Sequence, residues 1–149
     1  MRSGFSLLIA LLFLVLIATL SALSLSLSTK STKQTTDIFL KNQAELLIRS
    51  GTEFAMLAIS GHDYSASCLN TLNITYPNNE TNYTHEINIT ISYIGRNLPI
   101  NCIVLDNNIS TLESNKTVII DTVVSTNPIL TPNIIPEQIR MHRRSIQKP

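Results

Sequence analysis

Residues 5–27 read FSLLIALLFLVLIATLSALSLSL, and this stretch contains no charged residue. As an α-helix it would be about 35 Å long, at 1.5 Å per residue. The hydrocarbon core of a bilayer needs about 20 apolar residues, whereas the apolar region of a secretory signal has roughly 7–15. The length therefore favours a membrane-spanning helix over residues 5–28. A signal peptide cleaved near small residues such as Ala22-Leu23-Ser24 is the alternative.

A second helical pattern follows over residues 37–60. Apolar or small residues recur there at alternating spacings of four and three, which predicts one buried stripe: Leu40, Ala44, Leu47, Gly51, Phe54 and Ala58. The intervening stretch 28–36 is rich in Ser and Thr but has no Pro or Gly to break a helix. We therefore predict one long helix from Phe5 to about Ser60, in which residues 29–60 continue the membrane segment, and Gly61 as its stop. Two helices joined by a Ser/Thr hinge are the alternative.

The hydrophobic period changes to two after the predicted helix. Residues 86–93 alternate apolar and polar side chains, which predicts a strand with one buried face. Further strands are predicted at 69–76, 100–105 and 117–124, because each is bounded by Pro-, Asn- or Asp-containing turns. Short turns favour an antiparallel meander. The fold class is therefore α+β, with a long N-terminal helix packed on an antiparallel sheet of about four strands that spans 61–127.

Composition limits the classes of function. The 149-residue chain has a net charge of +1, which gives no field strong enough to recruit nucleic acid. Outside the apolar segment about 120 residues remain, enough for one small domain. The histidines are scattered, and the sequence has neither zinc-ligand spacing nor a G-x-S-x-G motif. We therefore expect no metal, no cofactor and no enzymatic activity.

Residues 128–149 form the C-terminal end of the chain. Three prolines occur within nine residues, which disfavours regular structure. Basic residues follow the prolines, and chain termini are commonly poorly ordered. We expect a Pro-containing basic tail that is disordered.

Cys68 and Cys102 are the only cysteines. If the domain lies outside the cytoplasm, this pair is expected to form a disulfide, and two buried thiols are the alternative. Asn-x-Ser/Thr occurs six times, and four of these sites have an acidic residue two positions before the asparagine. That pattern is similar to an extended acceptor signal of bacterial N-glycosylation. The four candidate acceptors are Asn82, Asn88, Asn108 and Asn115.

The N-terminal residues carry a resemblance to a known family. Arg2-Ser3-Gly4-Phe5-Ser6-Leu7-Leu8, followed directly by the apolar run, resembles a class III prepilin signal. Such a signal has a short basic leader, a glycine, then Phe-Ser/Thr-Leu and a hydrophobic helix. It is typical of type IV pilins and of the pseudopilins of type II secretion and DNA uptake. The predicted long helix, small sheet and cysteine pair agree with the fold of that family.

The resemblance implies a processing and assembly route. A prepilin peptidase would cut between Gly4 and Phe5, remove the leader 1–4 and methylate Phe5. The helix would be held in inner-membrane lipid and would then pack against other pilin-like subunits in a filament. The C-terminal domain would lie in the periplasm.

One position departs from the family pattern. Family members usually carry glutamate at the fifth residue of the mature chain, where this sequence has Ile9. A carboxylate in lipid is expensive and is tolerated only when it is paired. Its absence implies a minor, initiating or tip-associated subunit of a secretion, DNA-uptake or pilus machine. The alternative function is a secreted or single-pass membrane glycoprotein that acts as a binding module.

Overall fold

The computed structural model describes residues 3–64, 67–79, 81–109, 116–127 and 138–148. It contains one helix and five strands: α1 (Ser3–Gly61), β1 (Thr71–Tyr76), β2 (His85–Gly95), β3 (Val104–Asp106), β4 (Lys116–Thr126) and β5 (Arg140–Gln147). The chain divides into two compact units, Met1–Ile38 and Phe39–Pro149.

The first unit is helical throughout its described residues, and α1 continues without interruption into the second unit. The prediction of one long helix is therefore confirmed, and the hinge at 28–36 does not form. Four threonine hydroxyls in and beside this stretch donate hydrogen bonds of 2.9–3.1 Å to backbone carbonyls three or four residues earlier: Thr29, Thr32, Thr35 and Thr36. These hydroxyls are satisfied inside the helix, where they share carbonyls that also accept backbone amides.

In the second unit, one side of α1 packs on the sheet. Its buried residues follow one stripe: Leu40, Ala44, Ile48, Gly51, Thr52, Ala55 and Ile59. The predicted stripe was correct at Leu40, Ala44 and Gly51 but wrong at Phe54, which is 48% exposed. Small residues let the helix approach the sheet closely, so the buried line runs through Thr52 and Ala55 and leaves the bulky Phe54 outside.

The sheet has the strand order β1-β2-β4-β5, and each of these neighbouring pairs is antiparallel. β3 pairs with the end of β2 in parallel. Alternate residues of β2 and β4 face α1 and are buried, as the period of two in residues 86–93 predicts. The main members of this core are Ile87, Ile89, Ile91, Tyr93, Val118, Ile120 and Val124. The α+β fold class is confirmed, and the long apolar helix with its sheet is a pilin-like architecture.

One strand prediction needs correction. Residues 100–105 were expected to form a full antiparallel strand, but only Val104–Asp106 pair, in parallel with β2. Pro99 and the bridged Cys102 hold the preceding residues in a loop, where the Tyr93 amide donates to the Ile103 carbonyl at 2.8 Å.

The C-terminal end of the chain differs more strongly from its prediction. A disordered tail was expected over 128–149, but Arg140–Gln147 form β5 and pair with β4 over eight residues. Cross-strand contacts with β4 stabilise this strand, and these contacts could not be predicted from the composition of residues 140–147 alone. Residues 128–137 lie outside the described part of the chain.

Candidate membrane and assembly segments

The N-terminal part of α1 exposes apolar side chains on all sides. Within the described residues, α1 is the one helix long and apolar enough to cross a membrane. Gly4 and Phe5 belong to its first turns, and their side chains lie outside the described part. Ile9 is 40% exposed. Its large apolar neighbours are also exposed: Leu7, Leu8, Leu11, Leu12, Phe13, Leu14, Val15, Leu16 and Ile17.

Two hydroxyl groups of this segment are satisfied by backbone carbonyls of the helix itself. The Thr19 hydroxyl donates to the Leu16 carbonyl at 2.9 Å, and the Ser21 hydroxyl donates to the Ile17 carbonyl at 2.8 Å. A hydroxyl without a partner in hydrocarbon would cost several kcal/mol. The segment therefore offers its surroundings an apolar surface that suits lipid or other helices.

A disulfide joins Cys68, which precedes β1, to Cys102, which precedes β3. The predicted bridge is thus present, and the two Cα atoms are 4.9 Å apart. Asn70 reinforces the same connection. Its side-chain amide donates to the Asn101 carbonyl at 2.7 Å, and its Oδ1 accepts from the Ile103 amide at 3.2 Å. The loop between β2 and β3 is therefore tied to the start of β1.

An aromatic cluster secures the chain where it leaves α1. The Tyr93 hydroxyl donates to the Leu69 carbonyl at 2.6 Å, and the Tyr64 ring packs edge-on against Tyr93 with centroids 6.0 Å apart. Lys116 Nζ lies 3.2 Å from the centre of the Tyr64 ring, in cation–π geometry. Burial raises the pKa of Tyr93 and lowers the pKa of Lys116. The cluster is structural, since it connects the end of α1 with β2 and β4.

A charged cluster lies on the sheet face opposite α1. Arg144 on β5 holds Asp121 on β4 in bidentate geometry, with Nε–Oδ1 2.8 Å and Nη2–Oδ2 2.9 Å. His142 Nε2 lies 2.8 Å from Asp121 Oδ1. The hydrogen bond from Arg144 is the main reason that the pKa of Asp121 lies below its ordinary value. This cluster joins the last strand to the rest of the sheet.

His85 is a buried titratable residue at the start of β2. It is fully buried and faces α1, and its Nδ1 lies 3.1 Å from the Thr84 hydroxyl. Nε2 forms no hydrogen bond of good geometry with a described residue, although the Leu40 carbonyl of α1 favours the protonated ring. Burial is the larger effect and lowers the pKa of His85. The ring is therefore neutral in the folded domain near neutral pH.

The candidate acceptor asparagines occupy different environments. Asn82 and Asn108 are exposed in loops. Asn88 is half-buried on β2, and its side-chain amide donates to Glu86 Oε1 at 3.1 Å. Asn115 lies outside the described residues. Asn82 is the better placed of the two sites whose Asn and Thr are both described, since Asn88 would have to leave its hydrogen bond with Glu86 to react.

Sequence analysis missed two features that position these segments. The first is β5 with its partner Asp121, for which the available signal was one carboxylate inside a β-branched strand and a basic cluster at the chain end. The second is the close approach at Gly51, for which the signal was a glycine within a helical stripe.

The described residues contain no group of three or more His, Cys, Asp or Glu side chains that could hold a metal ion. The chain matches no protein-family model, no curated protein and no solved structure.

Proposed function

We propose that this chain is a minor pilin-like or pseudopilin-like structural subunit of a bacterial secretion, DNA-uptake or pilus filament machine. The observation that carries the proposal is the continuity of α1 from the apolar segment 5–28 into the stripe that packs on the sheet. A helix that is apolar on all sides needs lipid or other helices around it. One continuous helix can therefore serve first as a membrane anchor and later as a packing element between subunits.

Processing at the N-terminus allows the helix to leave the membrane and to enter a filament. A prepilin peptidase cuts between Gly4 and Phe5 at the cytoplasmic face and methylates Phe5. The leader contains Arg2, so cleavage removes a charged residue next to the apolar segment. The mature chain then begins at its apolar run and enters a helix bundle more easily.

The disulfide supports a periplasmic position for the domain. Disulfides form and persist in oxidising compartments, including the bacterial periplasm. The Cys68–Cys102 bridge is compatible with that compartment. The domain then faces away from the cytoplasm, while the peptidase acts on the other side of the inner membrane.

Ile9 supports a minor, initiating or tip-associated role. In the pilins that the N-terminal sequence resembles, a glutamate at this position of the mature chain neutralises the terminal amine of a neighbouring subunit. An isoleucine side chain cannot accept that contact. A subunit with Ile9 fits better where the usual contact is not repeated.

The mature N-terminus tests the proposal. Intact-mass and N-terminal peptide mass spectrometry of the protein from its native membrane is expected to show a start at Phe5 with one added methyl group. Gly4→Leu is expected to leave the precursor uncleaved, and Ser3→Ala serves as the matched control that is still processed. Normal cleavage of Gly4→Leu, or an intact Met1 in the wild type, would contradict the proposal. A start near Leu25 would instead identify a secreted binding module.

A further inference from the structure

The sheet has two edges, formed by β5 on one side and by β1 with the short strand β3 on the other. Among the described residues, no strand pairs with the outer edge of either one. β5 has eight residues and β1 has six. Backbone groups that point away from the sheet at an edge need hydrogen-bond partners, so an open edge is a template for a strand of another chain.

The β5 edge is strongly basic. Residues 138–148 contain four basic residues and no Asp or Glu: Arg140, Arg143, Arg144 and Lys148. The whole chain has a net charge of only +1, so the rest of it has a net charge of −3. Arg144 is engaged with Asp121, while the Arg140 and Arg143 side chains are exposed. An incoming strand at β5 therefore meets a positive edge.

The two strands on the β1 side of the sheet differ in charge from β5. β1 and β2 together contain one acidic residue, Glu86, and no Lys or Arg. Glu86 lies on β2, directly beside Thr75 of β1. The pairing registers place Thr75, Glu86, Ser125 and Arg140 in one row across the face opposite α1. Arg140 thus ends the row at β5, while Glu86 stands one strand in from the β1 edge and two strands from Arg140 of the same chain.

We propose that β5 of one molecule adds to β1 of a second copy of this chain and so extends the sheet. Neighbouring strands in the order β1-β2-β4-β5 alternate in direction. A second copy displaced sideways therefore brings its β1 antiparallel to β5. Strands lie about 4.8 Å apart, so Glu86 of the second copy stands about 10 Å from the Arg140 backbone. The two side chains together reach across that distance.

Pairing between two β5 strands is disfavoured. It would set arginine-rich strands directly against each other, and like charges in opposite positions of a sheet are destabilising. The β5–β1 contact avoids this repulsion and is heterologous, with different surfaces on the two copies. It does not rest on the proposed function, because it involves the sheet edges and not the processed N-terminus.

Site-directed cross-linking of the full-length protein in membranes tests the proposal. One chain carries Ile146→Cys on β5 and the other carries Thr71→Cys on β1. Both side chains are exposed on the face of the sheet opposite α1. The two chains are co-expressed with different tags and treated with a bismaleimide whose spacer spans about two strand separations, roughly 10 Å. The expected product is the mixed pair, with little product between two chains of the same kind.

A charge exchange tests whether the edges recognise each other. Arg140→Glu in the Ile146→Cys chain is expected to reduce the mixed product about fivefold. Glu86→Arg in the Thr71→Cys chain is expected to restore it, which a misfolded variant would not do. Lys33→Glu, an exposed position in the first unit, is the control that leaves the product unchanged.

Three results would overturn the proposal. A product between two Ile146→Cys chains would show that β5 pairs with itself. Cross-linking of Ile146→Cys to a different protein would show that the edge binds another partner. Absence of the mixed product, with the Cys68–Cys102 bridge intact on a non-reducing gel, would show that the edges do not meet.

Discussion

Gly51 determines how closely α1 approaches β2 and β4. A Cβ atom at this position would lie 3.0 Å from Ile87 Cγ2 and 3.4 Å from Thr122 Cγ2. Carbon atoms attract each other best at about 3.5–4.0 Å, so any added side chain presses against the core. The neighbouring helix positions are also small, since Ala44 and Ala55 are completely buried. Small side chains at this interface therefore keep the helix and the sheet in direct contact.

Gly51→Val is expected to destabilise the second unit by about 1–3 kcal/mol, because overpacking forces neighbouring side chains or backbone to move. Thermal unfolding of the full chain in detergent, followed by circular dichroism, measures the change. Gly61→Ala is the matched control, since a Cβ there has no atom within 4 Å. It is expected to change the free energy of unfolding by less than about 0.5 kcal/mol. Equal stability of Gly51→Val and the wild type would contradict the close packing.

His85 makes the stability of the domain depend on pH. Its pKa in the folded domain lies below the ordinary value of 6.5, so below pH 6.5 the unfolded chain binds a proton that the folded chain does not. Stability is then full above pH 6.5 and falls as the pH decreases toward the folded pKa, by at most about 1.4 kcal/mol per pH unit. His85→Phe is expected to remove this slope. Urea unfolding between pH 8 and pH 5 provides the measurement, and an unchanged slope in the variant would contradict the assignment.

At the scale of elements, β5 shows how tertiary contacts override local sequence preference. The sequence RMHRRSIQ of residues 140–147 has little of the β-branched and aromatic content that predicts strands. Pairing with β4 supplies a full ladder of backbone hydrogen bonds, and Asp121 on β4 binds Arg144 and His142. The partner strand and its one carboxylate thus determine the conformation of a segment that looks disordered by itself.

Asp121→Asn is expected to weaken the pairing of β5 with β4. Exposed ion pairs contribute up to about 1 kcal/mol, and this carboxylate holds two partners. Because Arg144 keeps the pKa of Asp121 below its model-peptide value of 3.8, the contribution is present above pH 3.8 and is lost as the pH falls through the folded pKa. Hydrogen exchange is expected to show faster exchange of β5 amides in Asp121→Asn. Glu45→Gln, which removes an exposed pair with Arg49 on α1, should leave β5 unchanged.

The disulfide is expected to provide much of the stability of a small domain. The bridge joins residues 34 positions apart, for which the chain-entropy model gives about 4 kcal/mol. The double variant Cys68→Ser and Cys102→Ser is therefore expected to unfold at a much lower urea concentration. The wild type treated with a reductant is the matched control, and its urea midpoint should fall by the same amount as that of the double variant. A small shift of the urea midpoint in both samples would contradict this expectation. It would mean that the contacts of Tyr64 and Asn70 already hold the loops that the disulfide joins.

The elements that sequence analysis predicted well are those whose own residues carry the pattern. α1, β2 and β4 bury a regular side, so a period of 3.6 or 2 appears in the residues themselves. β3 and β5 were misjudged because their pairing depends on distant residues, Cys68 for the loop before β3 and Asp121 for β5. Phe54 was assigned to the buried stripe because periodicity gives a direction around the helix but not the distance to the sheet.

At the scale of the whole molecule, the chain combines a helix segment that has no buried side with a domain that has a closed core. In the first unit the large apolar side chains from Leu7 to Leu27 are at least 40% exposed. Such a surface in water would drive association, since monomeric soluble proteins rarely expose apolar patches of more than a few hundred Å². The domain by contrast encloses an apolar core, although some of its large apolar side chains, such as Leu57 and Ile100, are exposed. Lipid around the N-terminal segment would cover this apolar surface.

Charge placed inside the apolar segment is therefore expected to remove the protein from the membrane. An arginine near the middle of a spanning helix costs about 2.5–3.5 kcal/mol, and a lost leucine adds about 0.5 kcal/mol. The variant Leu12→Arg with Leu16→Arg changes one side of the segment at a spacing of four. Alkaline carbonate extraction is expected to release it, or to show its loss by degradation, while the wild type stays in the pellet.

Ser31→Arg with Thr35→Arg is the matched control, because it adds the same charges at the same spacing outside residues 5–28. This control is expected to stay in the membrane pellet, since both positions follow the apolar run and arginines there can reach the interface. Two results would contradict membrane anchoring by the segment. One is retention of the Leu12 and Leu16 variant at the wild-type level. The other is a wild type found in the soluble fraction, as expected for a signal that is cleaved and a domain that is released.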